Sequence, residues 1–299
     1  MGKKLVLGII VLTCAMTLYL AFNGGTAPDG KTGSSRGDAI GIIRVEGEIS
    51  GTGGETILGS TESALDQTLN ALADARERDE IKAVVIRIDS PGGTVAASQE
   101  IAEEIDKLRK TGKPVIASMG DTAASGAYWI ACSCDKIVAN PGTLTGSIGV
   151  IMSISNVEGL FEKLGITEDV IKSGSLKDIG SSTRKMTPEE RKVLQELVMD
   201  TYQQFIAQVK KGRKGKIDET KLLALADGRV FTGRQAKKLG LVDDLGNFAD
   251  AVDIAAKEAD IEGDPVIEEL MNPDPFSELM NQFSSQTFLK SDKFLNAVY

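Results

Sequence analysis

The stretch KAVVIRID, residues 82–89, followed by SPGG and then TVAASQEIAEEIDKLRK, constrains the fold of this chain more than any other feature. A short β-branched apolar run without polar alternation needs cover on both faces, as a strand inside a parallel sheet has. The Gly–Gly break supplies a turn, and the amphipathic run that ends at Gly112 supplies a crossover helix. The same alternation recurs along the chain. AIGIIRVEGEI (39–49) reads as a strand and TESALDQTLNALADARERD (61–79) as a helix. PVIASMG (114–120) is a strand that runs into a small-residue helix starting near Ser125. KIVANP, GSIGVIMSI and EDVIKSG continue the strand series. A long helix opens at Thr187 with a Thr–Pro start, an acidic first turn and a basic last turn. Helical pieces follow around 217–226, 233–239 and from Phe248 to Ala259. The pattern predicts an α/β fold with right-handed crossovers and no internal repeat.

The N-terminus differs in kind. Lys3 and Lys4 precede the apolar run Leu5 to Phe22, and eighteen residues at helical rise reach ~27 Å, close to the bilayer core. The run is longer than the apolar region of a cleaved signal peptide, and its exit, NGGTAPDG, offers no clean small-x-small site. Cys14 is poorly placed for a lipoprotein site, because Thr13 precedes it and the apolar run continues past it. Residues 5–22 are therefore expected to be an uncleaved transmembrane anchor in contact with membrane lipid, with a cleaved signal peptide as the alternative. The positive-inside rule puts residues 1–4 in the cytoplasm and the main domain outside the cell membrane. Residues 23–38, rich in Gly, Ser, Pro and charge, are a flexible linker. The folded domain is expected over 39–260 and a C-terminal tail over 261–299.

Charge and cysteine content exclude several functions. A net charge of −9 argues against nucleic acid, which needs a basic face. Cys132 and Cys134, two apart, would point to different sides of a helix. With no histidine in 299 residues and no CxxC pair, neither a zinc nor an iron–sulfur site has its ligands. No metal and no cofactor are expected, and the two cysteines read as buried free thiols.

Two motifs can carry chemistry. In DSPGG, Asp89 to Gly93, the glycines let backbone N–H groups approach a ligand at a strand-to-helix turn, as an oxyanion site requires. The same motif is also an ordinary tight turn. In AASGAYWIA, Ala123 to Ala131, Ser125 stands at the C-terminal end of a strand, where open α/β sheets place their ligands. Read alone, Ser125 is also what the start of a packed helix looks like. Without histidine, a Ser–His–Asp triad is impossible, and the remaining precedent is a serine–lysine dyad. An ordinary lysine, with a pKa of ~10.4, becomes a base only when burial or a nearby cation lowers that value. Lys172 and Lys177, in VIKSGSLKDIGSS, are the candidates, since most other lysines lie in charged helical stretches. Ser147, in TGSIGV, could hydrogen-bond an amine held there, or could be a turn serine.

SPGG, GDTAASGAYWIA, NPGTLTGSIGVIM, IKSGSLKDIGSSTRKMTPEE and DGRVFTGRQAKKLGLVDDLG together resemble the bacterial signal peptide peptidase A family in its short form. These are membrane-anchored serine proteases of the ClpP/crotonase superfamily, and the resemblance covers roughly residues 38 to 255 in order and spacing. It implies a ClpP/crotonase-like fold of repeated ββα units in a superhelix, behind an N-terminal transmembrane helix. It implies Ser125 as nucleophile and Lys177 as general base, with Lys172 as runner-up because a slip in alignment exchanges them. It places the oxyanion hole on the backbone N–H groups of Gly93 and Gly126, and gives Ser147 the role of positioning the lysine. Its short form assembles into homo-oligomeric domes with sites completed between protomers, and its substrates are signal peptide remnants and other unfolded apolar peptides. Two departures, Ala127 for a second glycine and Tyr128–Trp129 for two tyrosines, are expected to alter which side chains the cleft accepts.

Three other readings compete. A related membrane-bound protease trimming one membrane partner protein would use the same dyad. A coenzyme A-dependent crotonase would give no reason for the anchor. A silent membrane scaffold would not need Ser125.

Overall fold

The computed structural model describes residues 38–52, 55–56, 59–60 and 63–271. The expected anchor at 5–22, nearly all of the linker and the tail beyond residue 271 lie outside the described residues. Among the described residues, no helix is long and apolar enough to cross a membrane.

A mixed eight-stranded sheet carries the fold. The elements run β1 (Ala39–Ile49), α1 (Ala64–Glu77), β2 (Ile81–Gly93), α2 (Val95–Arg109), β3 (Val115–Ala124), α3 (Gly126–Ala131), β4 (Lys136–Ala139) and β5 (Leu144–Gly146). They continue with α4 (Glu158–Leu164), α5 (Pro188–Gly212), α6 (Glu219–Leu225), β6 (Val230–Thr232), α7 (Gly233–Leu239), β7 (Asp244–Leu245), α8 (Phe248–Glu258) and β8 (Val266–Glu269). A two-stranded ribbon, Glu55–Thr56 with Gly59–Ser60, stands apart. The main path orders the sheet β8-β1-β2-β3-β4-β7, all parallel, while β5 pairs parallel with β3 and antiparallel with β6.

The apolar run of β2 is buried on both sides because its alternate residues enter two cores. Val84, Ile86 and Ile88 pack with Leu72, Ile101, Ile105 and Tyr128. Ala83 and Val85 pack with Ile40, Ile42, Ile116 and the inner face of α8, including Ala251, Val252 and Ala255. Burying each of the larger side chains contributes ~1.5–3 kcal/mol, so the sheet holds its shape around β2.

Several expectations change. SPGG does not break the strand. Ser90 is in register with Ala123, and Gly92 and Gly93 are in register with Glu48 and Ile49, so β2 runs on to the glycines. Likewise β3 continues through Asp121–Ala124 to the serine. GSIGVIMSI and EDVIKSG were expected as strands, but only Gly146 of the first belongs to one, and 165–172 is irregular and exposed. Past Gly146 the first stretch still bonds to the chain before β6, Ser147 N–H donating to Arg229 O at 2.9 Å and Ile148 O accepting from Gly228 N at 3.1 Å, and beyond these bonds it is not part of a strand. In the opposite sense, the chain past residue 260 supplies β8. Its four residues pair with Ala39–Ile42, held by ion pairs of Arg78 with Glu268 and Arg44 with Glu269.

Candidate active site

The parallel strands β2 and β3 end side by side, and the site is built from the residues at and just past their ends. Ser125 stands between β3 and α3 with φ 55° and ψ −124°, a conformation that L side chains rarely adopt. Its N–H donates to Gly146 O at 2.9 Å, and its C=O accepts from Trp129 N at 3.0 Å. The first bond ties the serine to β5; the second starts α3. Such a sharp strand-to-helix turn exposes a hydroxyl at a sheet edge, as a nucleophile requires. Ser125 is half-buried, while all six residues of α3 are buried.

Helix α3 is short but firmly held. Tyr128 OH donates to Leu241 O at 2.8 Å, and the Trp129 ring lies 5.0 Å from that of Phe205 on α5. Both rings are therefore core packing, contrary to the expectation that they shape a substrate cleft. Cys132 and Cys134 are free thiols buried beside the helix, as the sequence implied. Burial pushes the Cys132 thiol up to about 12, so it stays protonated.

The glycine pair at the end of β2 lies directly against the serine. A methyl group on Gly92 (φ 107°) would stand 2.8 Å from both Gly126 N and Ser125 Cβ. On Gly93 it would stand 1.9 Å from Ile49 O, and on Gly126 2.4 Å from Ser98 Oγ and 3.3 Å from Gly93 N. Only glycine allows these backbones to meet, and the meeting brings the Gly93 and Gly126 amides together beside Ser125. Two backbone donors next to one hydroxyl can bind the oxyanion of a tetrahedral intermediate. Ser147 belongs to the same cluster. It follows Gly146, has φ 50°, and its N–H donates to Arg229 O at 2.9 Å.

Buried hydroxyls and a carboxylate fix the strand that presents the serine. Thr145 Oγ1 donates to Ala123 O at 2.6 Å, and Thr143 Oγ1 to Gly120 O at 2.7 Å. Asp89 Oδ1 accepts from Thr122 N at 3.0 Å. Sequence reasoning did not single out Thr143, Thr145 or this role of Asp89, because each bond joins residues more than twenty positions apart.

The two lysine candidates separate. Lys172 Nζ lies 2.6 Å from Asp178 Oδ1 and 3.2 Å from Ser175 O, which commits its charge to a carboxylate. Lys177 is exposed, and among the described residues its amine has no hydrogen-bond or ion-pair partner. Among the described residues, no bond joins either lysine to Ser125. The structure thus gathers Ser125, Gly93, Gly126 and Ser147, and leaves Lys177 on an exposed turn.

A strained serine beside the Gly92–Gly93 and Gly126 backbones, at the end of a parallel strand of an α/β sheet, is an arrangement that serine hydrolases use. The comparisons with known proteins specify the class. The model of peptidase family S49 matches residues 107–262, more than half of the chain. A Synechocystis sp. protein that bears a protease name is 44% identical over 75% of this chain and 80% of its own length. An Enterococcus faecium protein that bears the name signal peptide peptidase SppA is 42% identical, over 76% of this chain and 65% of its own. Protease 4 of Salmonella typhi is 40% identical over 76% of this chain and 36% of its own. The chain belongs to peptidase family S49 and is a serine protease. Among solved structures, a mutant of a membrane-bound stomatin-specific protease in complex with a substrate peptide shares the fold, with a TM-score of 0.50 at 17% identity. That likeness covers 84% of this chain and 100% of the other.

Proposed function

We propose that this protease is a membrane-anchored Ser–Lys endopeptidase that degrades cleaved signal peptides and other unfolded apolar peptides. Ser125 Oγ attacks the scissile carbonyl while the neutral amine of Lys177 accepts its proton. The carbonyl oxygen becomes an oxyanion held by the Gly93 and Gly126 amides, each such donor being worth ~3–4 kcal/mol of barrier. Lysine then gives the proton to the leaving amine, and water, deprotonated by the same lysine, releases the acyl group. Ser147 orients the lysine. No metal or cofactor enters the scheme. Residues 5–22 anchor the protein, with residues 1–4 cytoplasmic and the catalytic domain outside, so that the site meets peptides left in the bilayer. The reading includes a ClpP/crotonase-like superhelix of ββα units around the site.

The observation that carries this reading is Ser125 itself, held at φ 55° against the Gly92–Gly93 backbone. Strain of this kind costs of order 1–3 kcal/mol and persists where function needs it. The choice of Lys177 over Lys172 rests on the Asp178 ion pair, which engages the Lys172 amine and leaves that of Lys177 unengaged among the described residues. An exposed lysine is no base either, so Lys177 needs cover. We assign that cover to a second copy of the chain in a homo-oligomeric ring or dome. Exposed apolar side chains just upstream, including Ile151 and Ile171, supply a surface for it.

The test uses the full-length protein in detergent with a fluorogenic apolar peptide. Ser125→Ala and Lys177→Ala are expected to lose ~10³-fold or more in kcat, and Lys172→Ala far less. Full activity in Ser125→Ala would end the mechanism. Full activity in Lys177→Ala with loss in Lys172→Ala would move the base.

A further inference from the structure

The turn that bears Lys177 belongs to no strand or helix, yet a side-chain clamp fixes it. Around the lysine the backbone bonds are local: Lys177 N to Gly174 O at 3.1 Å, Ile179 N to Leu176 O at 3.1 Å, and Ser181 N to Asp178 O at 3.0 Å. Such a turn fixes its own shape and nothing about its place on the protein. The next residue, Asp178, supplies the tie. Its carboxylate accepts from Arg184 Nε at 2.9 Å and from Lys172 Nζ at 2.6 Å, and its backbone carbonyl accepts from Arg184 Nη2 at 3.3 Å.

The other side of the Arg184 guanidinium grips Glu190. Nη1 donates to Glu190 Oε2 at 3.0 Å, and Nη2 donates to Oε1. Glu190 is only 2% exposed and is no ordinary surface carboxylate. It is the third residue of α5, where it closes a capping box: Thr187 N donates to Glu190 Oε2 at 2.7 Å, and Glu190 N donates to Thr187 Oγ1 at 3.2 Å. Helix α5 runs 25 residues and is packed to the core through Phe205, Ile206 and Val209. One guanidinium therefore joins the residue after Lys177 to the first turn of α5, the longest helix among the described residues. Arg presents a rigid planar fork with five N–H donors, so it holds both carboxylates in a fixed geometry that the rotatable lysine ammonium does not impose.

Both carboxylates remain charged at any working pH. Hydrogen bonds from Arg184, then from Lys172, hold Asp178 well below the usual carboxylate range. Arg184 and the Thr187 amide pull Glu190 down to about 2. The clamp absorbs the charge of Lys172, Asp178, Arg184 and Glu190 and leaves the Lys177 amine without a partner among the described residues. A structural ion-pair cluster would gain nothing from that exclusion; a catalytic amine requires it.

We propose that Arg184, through Asp178 and Glu190, is the positioning residue that delivers the Lys177 amine to the active site. This rests on the reading of Lys177 as the general base. With the clamp in place the amine has one address, so it can be desolvated there and act as a neutral base. Without it the turn keeps the bond from Val157 N to Ser182 O at 2.7 Å but loses its tie to α5, and the amine loses its fixed place.

The test compares full-length wild type, Arg184→Ala, Arg184→Lys, Asp178→Asn, the Arg184→Ala/Asp178→Asn double variant and Lys177→Ala. It reads kcat and KM between pH 6 and 11, the rate of Ser125 labelling by a fluorophosphonate, and thermal melting. Arg184→Ala is expected to lose ~10²-fold in kcat at neutral pH with little change in KM, because a small misplacement of a catalytic group costs that much. The midpoint of its pH–kcat profile should move to higher pH, toward that of free lysine. Arg184→Lys should fall between wild type and Arg184→Ala, and the double variant should be no worse than Arg184→Ala alone, since both changes open the same clamp. A folded Arg184→Ala with wild-type kcat and pH midpoint would overturn the proposal. So would a loss of activity that only tracks the folded fraction at an unchanged midpoint. Should Arg184→Ala fail to fold, Asp178→Asn is judged by the same criteria. Wild-type activity in Lys177→Ala would instead sink the assignment of the base, a failure distinct from that of the clamp.

Discussion

Ser125 combines two demands that pull against each other at a single residue. Its hydroxyl has to stand clear of the β3 end, and its backbone takes φ 55° to put it there. Glycine adopts that conformation without steric cost, whereas alanine keeps the Cβ and with it the strain. Both Ser125→Gly and Ser125→Ala should be inactive, but they should part in stability. Ser125→Gly is expected to exceed Ser125→Ala by ~1 kcal/mol in denaturant unfolding, the relief of strain being partly offset by the added freedom of the unfolded chain. Equal unfolding midpoints would mean that the turn stores no strain. The sequence pointed to this serine through its small neighbours and the missing histidine. It could not show the strain, because φ is set by β5 on one side and α3 on the other, through bonds to Gly146 and Trp129.

At the scale of elements, the N-terminus of α5 is where ionisation and folding are most closely joined. Glu190 titrates at about 2 in the folded chain, below the ordinary carboxylate value of 4.5. A depressed carboxylate contributes stability that is complete above its unfolded pKa and lost as pH falls through its folded one. The melting temperature of wild type should therefore exceed that of Glu190→Gln most at pH 5 and above, and the gap should close between pH 4.5 and 2. A gap that stayed constant over that window would show that the carboxylate charge is not what the helix start uses. The long, doubly buried strands and the Thr–Pro start of α5 were legible, because a strand with two covered faces and a capped helix each leave a local pattern. The ends of β2 and β3 were not, since SPGG and DTAA look like turns until pairing with β1 and β5 is seen. β8 was missed because VIEE is too short to show a period. The Arg184 clamp was hidden for another reason: charged residues six apart look like solvated surface unless the chain between them folds back.

On the scale of the whole molecule, the exposed apolar stretches and the exposed lysine bear on the same proposal. GSIGVIMSI and EDVIKSG have strand-like composition, yet Ile151 is 87% exposed and Ile171 101%, with Leu164 and Val170 also in solvent. Burying an isoleucine contributes ~1.5–3 kcal/mol, so a surface with several such side chains gains much by meeting another. Both stretches lie in the part of the chain that holds Lys177, and the proposed chemistry requires that lysine to leave water. Pairing with a second copy of the chain would satisfy both needs at once: cover for the apolar side chains and burial for the amine. The full-length protein in detergent should sediment as a closed oligomer, and an Ile151→Glu/Ile171→Glu double variant should sediment as a smaller species. Loss of assembly should bring loss of peptidase activity, because the proposed base acts only where it is shielded from water. Melting of the isolated subunit should change little, since neither side chain contributes to its core. An active, strictly monomeric double variant would mean that each chain completes its own site, and Lys177 would then have to find its cover within one subunit.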